Sequence, residues 1–404
     1  MQVVRTDRVA KNPVSEDGLE LQQLIDNTPA GGTLTLDKDY ILGAQTPDGV
    51  FITKSVTLDL NGHVIDGNQL VRCLYIMPEN KSDKIVIEDN STEGTGSITK
   101  GFSQFGGAIY AAAGDIVLNS GHITNSATDH LRWGGGGIYL DTDATLTMNG
   151  GDISYNHTDF SGAGGIYSAG QFNMYGGSIS NNYTLSWGGG LRVNGKTNIY
   201  SGHITNNTAQ FGGGIFVNNE EEGMPVVLNL TSQVGDSIVI TGNTATGAQG
   251  GVTGNGRINL SGKIICKDNI CNTKGYTDLK NFWAYTPVHI VGDMTDADIF
   301  FGAADGNTDK PVCRIFAYDY SKYNTVDFTN YFTFEGTGSM SAVLNAKGHI
   351  EIVTGTGLEN PSTSATVNKL LKNGHVIVVF KNSMVKSGFL TCVVSINIIT
   401  LFLL

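Results

Sequence analysis

The sequence predicts an all-β fold, a right-handed parallel β-helix with a helical cap at its start and an irregular β region at its end. Three observations carry this. A Gly-Gly-aliphatic motif recurs at Ile109, Ile138, Ile166, Leu191 and Ile215, at intervals of 29, 28, 25 and 24 residues. A second motif of the form GxI(S/T) falls between them, at Ile98, Ile123, Ile153, Ile179 and Ile204, with a looser copy at Ile240. A short apolar alternation precedes that motif, as in Ile116-Leu118, Leu146-Met148 and Phe172-Met174. Each unit of about 25 residues thus holds three short strands of period two, and none of them is long enough for a helix. A strand this short cannot bury its apolar face alone. Stacking the same position from unit to unit makes a continuous aliphatic core. Right-handed crossovers are the rule for parallel strands.

The elements follow in order. Residues 16–27 (EDGLELQQLIDN) read as a short helix, with Ser15 as N-cap and Leu21, Leu24 and Ile25 on one face. Residues 1–28 are therefore an arm and capping helix that covers the open end of the tube. Residues 29–272 are the β-helix, opening with GGTLTLDKDYIL and ITKSVTLDLNGHVIDG. Residues 273–357 lack the Gly-Gly signature and read as irregular last coils or a C-terminal β cap, with a separate small β domain as the alternative. Residues 358–404 read as a linker and a hydrophobic tail. That tail runs from Gly388 to Leu404 without a charge, and either a membrane attachment or a truncated end accounts for it. Residues 1–17 contain no apolar run of the signal-peptide type.

Composition narrows the function classes. The 404 residues include 54 glycines, nearly twice the usual share of about 7%. Only 8 prolines and no Gly-X-Y period exclude collagen. A hydrophobic share of 40% allows a large core and argues against wholesale disorder. The net charge of −12, with no Lys/Arg block, argues against nucleic acid as a partner. The five cysteines are too scattered for a disulfide framework, and Cys266 with Cys271 lacks the second pair that a metal site needs. No metal or other cofactor is expected.

Asn156, Asn182, Asn207 and Asn243 each lie three residues after a central Ile. Asn tolerates left-handed backbone, and its amide bonds the equivalent Asn of the next coil, so a structural ladder is expected.

These residues resemble a known group. Gly106-Gly107-Ala108-Ile109 is similar to the GGAI element of the polymorphic outer membrane protein repeats. Their Phe-x-x-Asn partner element corresponds to Ile153-x-x-Asn156, Ile179-x-x-Asn182 and Ile204-x-x-Asn207, with Ile in place of Phe. The segment from Leu19 to Gly67 looks like the first coils of pectate-lyase-like β-helices. The resemblance covers about residues 15–270. It implies a secreted or cell-surface adhesin, although no C-terminal barrel follows the repeats.

An active site is hard to place. Carboxylates in the regular coils (Asp115, Asp129, Asp141, Asp143, Asp152 and Asp159) fall at different phases of the repeat. Asp141 and Asp143 are the best local pair and read as a solvated turn. His122 and His203 share a phase with Asp152 and Ser178, which reads as a variable exposed position. Asn307-Thr308-Asp309 lies beyond the repeats, without the other elements of a polygalacturonase-like site. An aromatic precedes each Gly-Gly motif: Phe105, Trp133, Phe160, Trp187 and Phe211. They lie four to six residues before the aliphatic position. Such a rank stacks as a structural ladder or forms an exposed edge that grips sugar rings or a protein. The expected function is a non-enzymatic adhesin-like binder of glycans or host proteins. The alternatives are a carbohydrate-active enzyme with its site in the irregular insertions (219–223 or 278–286), and a passive surface spacer.

Overall fold

The chain winds into a parallel β-solenoid of about 8 turns with one short helix at its start. The computed structural model describes residues 15–129, 133–219, 226–248 and 250–273, and then the strand segments 276–278, 282–284, 288–302, 314–317, 332–335, 340–344, 350–354, 366–371 and 375–379. The insertion at 220–223, the Asn307-Thr308-Asp309 tripeptide and the tail at 388–404 lie outside the described residues, as does part of 278–286.

Each regular coil carries four strand rows, one more than the repeat pattern suggests. The first row runs through Val50–Ile52, Leu74–Ile76 and the Gly-Gly-aliphatic strands such as Ile166–Ser168 and Ile215–Val217. The second runs from Thr33–Thr35 through Gln171–Met174 to Val288–Met294. The third holds the GxI(S/T) motif, from Tyr40–Ile41 through Asp152–Ser154 to Asp298–Gly302. The fourth is a separate sheet of very short strands, including Ala127–Thr128, His157–Thr158 and Tyr183–Thr184. Two residues leave no alternation to read, so the sequence does not announce this row.

Register in the first row is one residue to one residue. Ile109 pairs with Ile138, Ile138 with Ile166, and Ile166 with Leu191. These aliphatics are all buried in one continuous core. A one-residue slip would turn every one of them outward, which is why so short a strand still has a single register.

The glycines are there because a backbone fits where a Cβ does not. A Cβ on Gly136 would lie 2.4 Å from the Gly164 carbonyl oxygen and 2.5 Å from that of His157 in the fourth row. A Cβ on Gly190 would lie 2.8 Å from the Gly214 oxygen and 2.9 Å from Asn207 Nδ2. The Gly-Gly segment thus lies flush against the fourth row and the asparagines behind it. The two motifs are halves of one packing solution.

The helix Asp17–Asn27 covers the first coil, burying Leu21 and Ile25. Glu16 occupies its N-cap without a side-chain bond, while Ser15 Oγ accepts from the Asp17 N–H at 3.3 Å. The helix also finishes the exposed sheet edge. Gln22 Oε1 accepts the Phe51 N–H at 2.7 Å, and Gln22 Nε2 donates to the Phe51 carbonyl at 3.0 Å. Asp17 Oδ2 accepts the Ile41 N–H at 3.1 Å. Unpaired strand edges recruit other chains, and these contacts occupy part of that edge. Toward the other end the pairing becomes antiparallel, between Arg314–Ala317 and Ile350–Thr354, and between Met340–Leu344 and Ile350–Thr354.

Candidate functional site

In the first row the aliphatic residue points into the core, so the next residue points out. That outward position reads Phe51, Tyr75, Tyr110, Tyr139, Tyr167, Arg192 and Phe216, one per coil and in register. The rings form a stripe along the tube. Centroids are 5.0 Å apart for Phe51–Tyr75, 4.9 Å for Tyr75–Tyr110, 5.4 Å for Tyr110–Tyr139 and 4.9 Å for Tyr139–Tyr167. Coil spacing sets this: strands stack about 4.8 Å apart, close to the preferred separation of aromatic pairs.

Two arginines lock the stripe. Arg72 lies 5.0 Å from the Tyr75 ring and 5.2 Å from Tyr110, and it donates to the carbonyls of Asp48, Phe105 and Gly106 and to Ser103 Oγ. Arg192 lies 5.3 Å from the Tyr167 ring and 4.8 Å from Trp187. Burial lowers the Arg72 pKa from its ordinary value, yet an arginine starts so high that it stays charged.

Of the five aromatics ahead of the Gly-Gly motifs, Phe105 and Trp187 pack against this stripe. Phe105 packs edge-on to Tyr139 at 5.3 Å and tilted to Tyr110 at 6.2 Å. Trp187 lies 6.1 Å from Phe216, and its backbone pairs with that of Phe211 in the next coil. Trp133 is 43% exposed, while Phe105, Phe160, Trp187 and Phe211 are half-buried. Phe105, Trp187 and Phe211 precede the aliphatic residue by four, Trp133 by five and Phe160 by six. The tyrosines have a constant lead of one from the aliphatic residue. The signal was therefore present in GGAIY, GGGIY and GGIY, one residue past the motif.

The chemistry of the stripe is that of neutral phenols. Burial raises the pKa of Tyr110 and of Tyr139 well above the ordinary tyrosine value. Tyr110 is raised further by the bond from its hydroxyl to Asp141 Oδ2, at 2.8 Å. Asp141 is thus tied to the stripe, and Asp143 pairs with Lys81 Nζ at 2.7 Å.

Asn156, Asn182, Asn207 and Asn243 are fully buried and joined in sequence. Each donates from Nδ2 to the Oδ1 of the next, at 3.0–3.1 Å within this set, and the chain of amides continues to Asn269. A second amide row lies on the outward face of the second strand row. Asn198 donates to Asn173 at 2.7 Å, Asn229 to Asn198 at 2.7 Å and Asn259 to Asn229 at 2.6 Å. It is not flagged by a motif, because the strand alternation hides it.

His122 and Asp152 occupy adjacent coils at one phase, and they bond through Nδ1 and Oδ1. Nε2 of His122 reaches the Gly94 carbonyl at 2.8 Å. Burial works against the charged ring. The two hydrogen bonds and the charges of Asp152 and Asp89 outweigh it, so the pKa is raised above the ordinary histidine value. With partners at both nitrogens, this histidine braces neighbouring coils. That arrangement leaves neither nitrogen for general-base work.

Among the described residues no group of three or more His, Cys, Asp or Glu side chains is placed to hold a metal ion. Cys73, Cys266 and Cys271 are buried. Among the same residues, no helix is long and apolar enough to cross a membrane. No protein-family model matches the chain, nor does any curated protein or solved structure.

Proposed function

We propose that the chain is a non-enzymatic binder, an adhesin-like repeat protein of the cell surface or extracellular space that engages glycans or partner proteins. The likeness of its GGAI and Ile-x-x-Asn elements to polymorphic outer membrane protein repeats supports that placement. The observation that carries the reading is the row of half-buried rings from Phe51 to Tyr139, together with Trp133, which is 43% exposed. The Phe51–Tyr75 pair stacks and shields its faces, Tyr75 and Tyr110 meet edge to face, and Trp133 adds an exposed ring. An amphipathic surface of this kind suits sugar rings, which have apolar faces and hydroxyl rims. The rigid core keeps the surface organised before binding, which lowers the entropic cost of association.

The test is retention of the full chain on a panel of soluble and insoluble polysaccharides, with release of reducing or unsaturated ends recorded alongside. The expected result is retention without turnover, weakened by Trp133→Ala at unchanged thermal stability. Release of sugar ends would overturn the non-enzymatic reading. Absence of retention across the panel would overturn the glycan reading.

A further inference from the structure

His122 sits where three stretches of chain meet. In the third row it pairs in register with Ser97 on one side and Asp152 on the other. Its Nδ1 bonds Asp152 Oδ1, and its Nε2 lies 2.8 Å from the carbonyl oxygen of Gly94. Gly94 belongs to the turn, residues 90–96, that joins the second row to the third one coil earlier. That turn folds over Gly62, where a Cβ would lie 3.2 Å from Ser91 Cβ and 3.4 Å from Thr95 Oγ1. Thr95 Oγ1 donates to the Gly62 carbonyl at 3.1 Å, and the Gly94 N–H donates to Ser91 Oγ at 3.1 Å. At its base the buried Asp89 carboxylate accepts the N–H groups of Gly62 and Gly96, each at 2.7 Å.

Both oxygens that flank the His122 ring are acceptors. A neutral imidazole has one N–H and one lone pair, so it satisfies one of them, whereas the protonated ring donates to both. A carboxylate is a stronger acceptor than a carbonyl, so Asp152 keeps the N–H when the proton leaves. Nε2 then meets the Gly94 oxygen lone pair to lone pair. We infer that His122 is a pH-operated latch on the turn at 90–96, closed while the ring is protonated and released when it is neutral. The charges that face the ring are those of Asp152 from the following coil and Asp89 from the preceding one, and Glu93 stands next to Gly94 in the turn itself. Burial opposes a charged ring, but the bonds to Asp152 and Gly94 and the two negative charges outweigh it. Release therefore falls on the alkaline side of the ordinary histidine value of 6.5.

Hydrogen exchange of the full chain, followed by mass spectrometry from about pH 6 to about pH 9 and corrected for intrinsic rates, tests the latch. The amides of Gly94 and Gly96 report the turn. The amide of Asn182, bonded to Asn207 Oδ1 at 3.0 Å in the core, reports the tube. In the unaltered protein the turn should lose protection about threefold across that range while Asn182 stays constant. Two variants should abolish the pH dependence in opposite directions. In His122→Ala the Gly94 carbonyl has lost its partner, so the turn is open at every pH. In Asp152→Asn the turn stays closed at every pH, because the carboxamide donates to Nδ1 of a neutral ring and leaves the Nε2–H for Gly94. Constant protection of the turn in the unaltered protein overturns the latch, and so does a loss of protection that Asn182 shares. Asp152→Asn opening in step with the unaltered protein, or His122→Ala keeping the pH dependence, overturns it as well. If His122→Ala fails to fold, Asp152→Asn decides.

Discussion

Replacing Asn182 by Ala removes more hydrogen bonding from the core than any exposed asparagine among the described residues provides. Its Oδ1 accepts the backbone N–H of Asn156 at 3.0 Å and Nδ2 of Asn156 at 3.1 Å. Its Nδ2 donates to the Ile153 carbonyl at 2.8 Å and to Asn207 Oδ1 at 3.0 Å. After truncation Asn156 Nδ2 keeps the Ile123 carbonyl, and Asn207 Oδ1 keeps the Asn182 backbone N–H. The Asn156 backbone N–H and the Ile153 carbonyl lose a partner where water does not reach. At about 1–3 kcal/mol for each such group, the loss is about 4 kcal/mol. With a urea slope of about 3 kcal/mol/M the midpoint falls by about 1.3 M. Asn149→Ala is the control. Asn149 is exposed and makes one amide bond to Asn119 at 3.0 Å, so its removal should cost under about 0.5 kcal/mol. Hydrogen exchange supplies the local readout, since the Asn156 amide should lose protection in Asn182→Ala and keep it in Asn149→Ala. Equal midpoints for Asn182→Ala and the unaltered protein would refute the view that the ladder stabilises the tube.

Gly136→Ala places a methyl 2.4 Å from the Gly164 oxygen and should destabilise by about 1–3 kcal/mol, read by thermal unfolding, because backbone on both sides resists the shift. His122 has a raised folded pKa, so its pairing with Asp152 stabilises fully below the unfolded value of about 6.5, and the benefit disappears as pH rises through the folded pKa. Both side chains are partly exposed, so the effect stays under about 1 kcal/mol. The Tm gap between the unaltered protein and His122→Gln should therefore narrow on going from mildly acidic to alkaline buffer, and a gap that widens would contradict the assignment. Cys73 is fully buried, and that burial raises its thiol pKa far above the ordinary cysteine value. Peptide mapping after iodoacetamide treatment should find Cys73 unmodified in the native protein and modified in urea.

Parts of this structure are legible in the sequence because they repeat. The Gly-Gly-aliphatic interval and the GxI(S/T) interval each mark a residue that must occupy the same place in every coil, and a stacked core is the simplest way to satisfy both. The asparagines were legible for the same reason. The fourth row was not, since a strand such as Ala127–Thr128 has no period to detect. The tyrosine stripe was half visible. Tyr follows the aliphatic residue in three motifs, yet in other coils Arg192 and Phe216 take the position, and only their shared register makes them one surface.

The sequence by itself determined the solenoid, its aliphatic core and its buried amides, because those depend on spacing along one chain and spacing is what a sequence records. Tertiary structure alone decided which residues meet across coils. His122 reached Asp152, Arg192 reached Tyr167, and Asn198 reached both Asn173 and Asn229 only when residues about 25–31 apart came within bonding distance. Such contacts depend on register and on side-chain direction, and no linear pattern encodes either of them directly.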